Sequence, residues 1–172
     1  MAWSSKQQSS YAAFMHNYVR NYSQPIDCAD LALAGLATFA GQNALPVRLF
    51  DYEERPKRWL AFDPATDDWQ RYSRRIRSEM GAINVIENSR AITLEHARAG
   101  DLIMTQNHGG GSTGHTRIIT SIQLEEGQND YLVEWYQGNL PPVVPERREA
   151  LFRTIPNVYG ASPRRWRFDQ FH

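Results

Sequence analysis

The chain of 172 residues has a single cysteine, so it has no internal disulfide framework and no cysteine-rich zinc site. It has no excess of charge of either sign: 19 basic side chains face 19 acidic ones, which removes the electrostatic case for nucleic-acid binding. No stretch reaches the ~20 apolar residues that a bilayer span requires, so membrane insertion is not expected. The opening MAWSSKQQSSYAAF lacks the basic start and continuous apolar region of a secretory signal. The expectation is a chain made in the cytoplasm without a cleaved signal, which would leave the cell only by a route that needs none. No internal repeat and no dividing linker are visible. With two-fifths apolar and 12% aromatic content, residues 1–172 read as one folded domain.

The one cysteine sits where a helix should start. In Ile26-Asp27-Cys28-Ala29-Asp30-Leu31, Asp27 is placed to be the N-cap and Asp30 to reach back to it from three positions on. The run to Phe39 is apolar enough for a helix buried on most sides. Cys28 then falls in the first turn, where free backbone N–H groups and the helix dipole favour a thiolate and so a nucleophile. An inert, packed cysteine is the competing reading.

Upstream, Tyr11, Phe14, Met15, Tyr18, Val19 and Tyr22 recur at helical spacing from Ser4 or Ser5 to Tyr22, and Pro25 separates the two helices. A short strand is expected within 43–51, a loop held by its aromatics over 51–68, and a helix over 69–80. Ile83–Ile86 and Ala91–Leu94 read as short extended segments. Arg71, Arg74, Arg75 and Arg77 read as the solvated face of their helix. Leu102–Met104, His115–Ile122 and Tyr131–Gln137 read as strands, with edge strands near Leu151–Ile155 and Trp166–Phe168. Two N-terminal helices followed by an antiparallel sheet make the fold class α+β.

A cysteine nucleophile needs a base, and the base needs a group to orient it. Of five histidines, His115 is the one that opens a strand, directly after a glycine-rich loop. Folding back about Glu125–Asp130 brings Gln137 to Asn139 opposite His115. Asn139 is the preferred orienting residue, with Gln137 and the charged Glu134 as alternatives. The Cys28 backbone N–H should stabilise an oxyanion, helped by Gln24 or Tyr22 just upstream.

A helix-borne Cys, a Gly-Asp-Leu-Ile strand, a strand opening on His and a polar residue on the next strand follow in that order. In this the chain resembles the papain-like cysteine hydrolases of the NlpC and CHAP kind. Asp27-Cys28-Ala29-Asp30 is similar to their Asp-Cys-Ser-Gly, Gly100-Asp101-Leu102-Ile103 to Gly-Asp-Leu-Val, and His115-Thr116-Arg117-Ile118 to His-Val-Gly-Ile. Residues 29–30 and 116–117 depart from those patterns, and 47–93 do not align with them. The resemblance implies a papain-like, NlpC-type fold, no cofactor, and attack by Cys28 on an amide carbonyl with His115 as base. It also implies a peptidoglycan stem peptide or a protein amide as substrate. A small, signal-less hydrolase of this type is similar to amidase toxins delivered by type VI secretion or as polymorphic-toxin tips. That would place its target in a rival's periplasm, with a cognate immunity protein as partner.

Four other readings compete. A metal site would use His108, His115 and Asp101 or Cys28, but the spacing fits no established ligand pattern and no His-Glu-x-x-His is present. A phosphate loop at Gly109–Gly114 fails because no Gly-Lys-Ser/Thr follows and the next element reads as a strand. A protein deamidase or protease of the same chemistry, or a non-enzymatic binding module, completes the set.

Overall fold

A computed structural model describes residues 2–53, 56–105 and 114–172. Helix α1 (Ser5–Asn21) starts in a reciprocal cap, in which the Ser4 hydroxyl accepts from the Gln7 N–H and the Gln7 side chain accepts from the Ser4 N–H. Its inner face buries Tyr11, Ala12, Met15 and Val19, while Phe14, Tyr18 and Tyr22 stack on one another half-buried along its side. Helix α2 (Cys28–Gln42) is capped by Asp27, whose carboxylate accepts from the Asp30 N–H at 2.7 Å. Ten of its residues are buried, and each fully buried leucine contributes about 1.5–3 kcal/mol. This apolar mass makes α2 the central helix of the larger core, packed on α1 and on the sheet.

Among the described residues, the main sheet has six antiparallel strands. In spatial order they are β3 (Ser89–Ala91), β8 (Arg164–Trp166), β4 (Leu102–Thr105), β5 (His115–Glu125), β6 (Asp130–Gln137) and β7 (Glu146–Leu151). Side-chain alternation divides the interior in two. Leu102, Met104 and Ile118 join the helices in the larger core, whereas Ile103, Ile119, Val133 and Trp135 face a second core closed by Phe152 and Ile155. The chain is therefore α+β with antiparallel sheets, as its sequence leads one to expect.

Several local expectations are corrected. Residues 58–62, expected as loop, form strand β2 (Arg58–Phe62), which pairs with β1 (Val47–Asp51) in a separate hairpin. Leu60 and Phe62 alternate inward, and Trp59 lies outside at 42% exposure under the Arg48 guanidinium. Residues 83–86 are not extended: they belong to α4 (Ala82–Glu87), a six-residue helix whose Asn84 is buried and accepts from the Tyr52 N–H. The edge strand expected at 151–155 lies earlier, at 146–151, followed by a 3-10 turn. Helix α3 (Trp69–Glu79) is capped by Asp68, and its Arg77 meets Asp30 at 3.3 Å. That contact corrects the expected role of Asp30: its carboxylate reaches α3 and not its own helix cap. Trp135 and Trp166 lie in the interior. No helix among the described residues is long and apolar enough to cross a membrane.

Candidate active site

The start of α2 is held against the far end of β6. Ile26 N–H donates to the Val143 carbonyl at 2.9 Å, and its own carbonyl accepts from Asn139 N–H at 3.2 Å. Between them lies Gly138, where a Cβ would stand 2.3 Å from the Ile26 oxygen. Only a residue without a side chain lets the strand end come this close. The other side of the site is set by β4 and β5, paired so that Thr105 lies opposite His115 and Met104 opposite Thr116.

These elements enclose a cleft of about 510 Å³. Asp27, Cys28, His115, Arg117, Gln137 and Asn139 line it, so the proposed nucleophile and base share one cavity. The Cys28 thiol accepts from the backbone N–H of Thr116 and lies against the backbone N–H groups of Cys28 and Ala29. The helix start nevertheless does not depress its pKa. Burial raises it, and the Asp27 carboxylate adds to that effect, while the three N–H groups offset it only in part. The thiolate expected from helix position alone is corrected by desolvation: the resting thiol is protonated at neutral pH.

The imidazole of His115 is shifted in the opposite sense. Burial lowers its pKa and the Arg117 cation lowers it further, against the Gln137 side chain, which hydrogen-bonds the ring and favours its charged form. Its Nε2 is buried with no partner among the described residues. A neutral ring with a free Nε2 is a proton acceptor, the state that a general base must occupy before reaction. Among the described residues no hydrogen bond joins thiol to imidazole, and such bonds commonly tighten only when substrate binds.

The remaining expected site residues fall as follows. Gln137, not Asn139, is the residue on the imidazole; its Oε1 also accepts from the Trp135 indole at 3.0 Å, which holds it in place. Asn139 lines the cleft, but its exposed side chain accepts from the Leu140 N–H at 2.9 Å. Gln24 is exposed and does not line the cleft, and neither does Tyr22, which packs on Tyr18. Glu134 lies along β6 in a cluster with Thr120, Arg20 and Arg147. Asp101 accepts two bonds from Arg165, at 2.7 and 2.8 Å, and one from the Arg98 N–H, which leaves it engaged in fastening β4 to β8. His108 and residues 107–113 of the glycine-rich loop lie outside the described residues. Sequence reasoning passed over Arg117, although the period of two from His115 along β5 turns both side chains to the same side. It also missed Thr105, Pro156 and Asn157, which complete the cleft wall.

The chain has been compared with family models, with curated proteins and with solved structures, and none matches it.

Proposed function

We propose that the chain is a cysteine-dependent amide hydrolase, with Cys28 as nucleophile and His115 as general base, and that its target is peptidoglycan stem peptide cut as an antibacterial effector. One observation carries the chemistry: the only thiol in the chain and a neutral imidazole whose Nε2 has no partner among the described residues line a single cleft. The choice of target draws on the likeness of the Cys28, Gly100 and His115 motifs to NlpC and CHAP hydrolases.

Because both partners are neutral at rest, the proton moves as the bond forms. His115 Nε2 takes the Cys28 proton while sulfur attacks the amide carbonyl. The oxygen that becomes negative is met by the backbone N–H groups of Cys28 and Ala29 at the positive end of α2. Gln24 takes no part in this, being outside the cleft. The imidazolium, steadied by Gln137, returns its proton to the departing amine and leaves a thioester on Cys28. Water, deprotonated by the same Nε2, then releases the acid and restores the thiol.

The test is incubation with purified sacculi, followed by analysis of the released muropeptides. Wild type should release them, and Cys28→Ala and His115→Ala should each release none while melting like wild type. A Cys28→Ala protein with full activity would remove the mechanism. Inactivity on sacculi together with ammonia release from protein glutamine would move the same chemistry to a deamidase.

A further inference from the structure

The acyl-transfer steps leave one charged group in the cleft without a role. Arg117 stands two positions after His115 on β5, half-buried in the cleft wall. Its guanidinium lies 5.8 Å from the Trp135 ring centre, and Nη1 donates to Thr105 Oγ1 at 2.9 Å. Its Nε is shut off from solvent with no hydrogen-bond partner, and no ion pair reaches it among the described residues. The contrast with Arg165, on β8, is direct: that side chain is also inside the protein, but a carboxylate of Asp101 takes two of its bonds.

A guanidinium partly withdrawn from water and facing no anion carries a desolvation cost, which an anion arriving from elsewhere would offset. Among the described residues the cleft lining holds one carboxylate, Asp27, which caps α2 through one oxygen and makes no ion pair with Arg117. Cys28 lies near enough that a negative charge on its sulfur would favour the Arg117 cation, which places the guanidinium within electrostatic reach of the reacting atoms. Trp135 and Thr105 hold the head group in place, so little ordering remains to be done when a ligand binds.

We propose that Arg117 is the carboxylate-recognising residue of this cleft, so that the amide attacked by Cys28 belongs to a substrate bearing a carboxylate close to the scissile carbonyl. This rests on the hydrolase reading above and narrows it: neutral amides of the same shape are poor substrates. A different use of the same cation, holding a Cys28 thiolate, predicts a change in thiol ionisation with no preference between charged and neutral ligands.

Alkylation of Cys28 separates these outcomes without needing the true substrate. In each reaction sulfur displaces iodide from a CH2 group; iodoacetate places a carboxylate next to that carbon and iodoacetamide a neutral amide. Thiol ionisation affects both rates equally and cancels in their ratio. Relative to glutathione under the same conditions, the iodoacetate-to-iodoacetamide ratio for Cys28 should be raised about tenfold or more, the worth of one charge-assisted hydrogen bond. Arg117→Gln should return the ratio to the glutathione value, and Arg117→Lys, which keeps the charge and loses the planar fork, should fall between. A wild-type ratio equal to that of glutathione overturns the proposal. So does an Arg117→Gln protein of unchanged melting temperature in which both reagents slow by the same factor. Failure of Cys28 to react with either reagent even in alkaline buffer, where the thiol ionises, overturns the hydrolase reading itself, and this proposal with it.

Discussion

Gly138 lies so close to Asp27 that a Cβ on it would stand 2.6 Å from the Asp27 carbonyl oxygen. The end of β6 and the cap of the nucleophile helix are thus in backbone contact, and the cleft exists because of that contact. The three obstructing atoms, the Ile26 oxygen and the Asp27 carbonyl carbon and oxygen, all belong to the main chain, so no side-chain rotation relieves the clash. Gly138→Ala should therefore lower stability by about 1–3 kcal/mol, the range for overpacking, and displace Cys28 from His115. For a chain of this size that is a fall of about 2–4 °C in Tm per kcal/mol, read by thermal melting alongside hydrolysis. Gly127→Ala is the control, since nothing lies within 4 Å of its Cβ position. An unaltered Gly138→Ala protein would show that the α2–β6 contact does not set the site.

Gln137 and Asn139 compete for one role, and their surroundings separate them. Gln137 is on the imidazole and is anchored by the Trp135 indole, whereas Asn139 serves its neighbour's N–H at the exposed rim. Gln137→Ala should lower kcat/KM by about 10–100-fold, the loss expected when a positioned base becomes free to turn. Asn139→Ala should cost less than that, and steady-state kinetics of the two variants on one substrate rank them. The reverse order would restore Asn139 as the orienting residue.

The sequence discloses the parts of this site that follow from local rules. An Asp followed by an apolar run marks the cap and burial of α2, and alternation marks β4, β5 and β6. Where one rule had to be weighed against another, the outcome was hidden. Counting back along the hairpin puts Asn139 opposite His115, but β6 stops at Gln137 and Gly138 turns the chain toward Ile26. Residues 83–86 are rich in β-branched side chains, yet they are helical because Asn84 and Asn88 are buried in bonds to the β1 strand and its exit. The helix dipole favours a Cys28 thiolate, but burial decides the matter, and burial is a property of the assembled cleft.

Glu134, a candidate orienter by sequence, is a stability element. Burial alone would raise its pKa, but hydrogen bonds from Thr120, Arg20 and Arg147 outweigh that and bring it from 4.5 down to about 2. A carboxylate with a lower pKa in the folded state stabilises the fold above its unfolded pKa and stops doing so as pH falls through the folded one. The contribution should be complete above about pH 4.5 and lost on approaching pH 2. Melting curves of wild type and Glu134→Gln should differ most at neutral pH and converge in that acid window. Parallel Tm profiles down to pH 2 would mean that the Arg20–Glu134–Arg147 cluster adds nothing.

The opposed shifts of Cys28 and His115 make a prediction that distinguishes this site from one with a preformed thiolate–imidazolium pair. In such a pair the thiol pKa falls well below its usual value, and alkylation is already fast at pH about 4–8. Here burial lifts the thiol and lowers the imidazole, so at neutral pH both groups are neutral. The rate of Cys28 alkylation by iodoacetamide should rise with pH through a single ionisation above the ordinary cysteine value of about 8.5, with no plateau at neutral pH. His115→Ala should leave that midpoint nearly in place, because the ring carries no charge to withdraw. Hydrolysis should behave differently, since it needs the neutral imidazole. Its acid limb should follow His115 and lie below the ordinary value of about 6.5, so kcat/KM persists into mildly acidic buffer. A neutral-pH alkylation plateau that disappears in His115→Ala would mean that sulfur and ring are already ionised together, and that burial does not govern the pair.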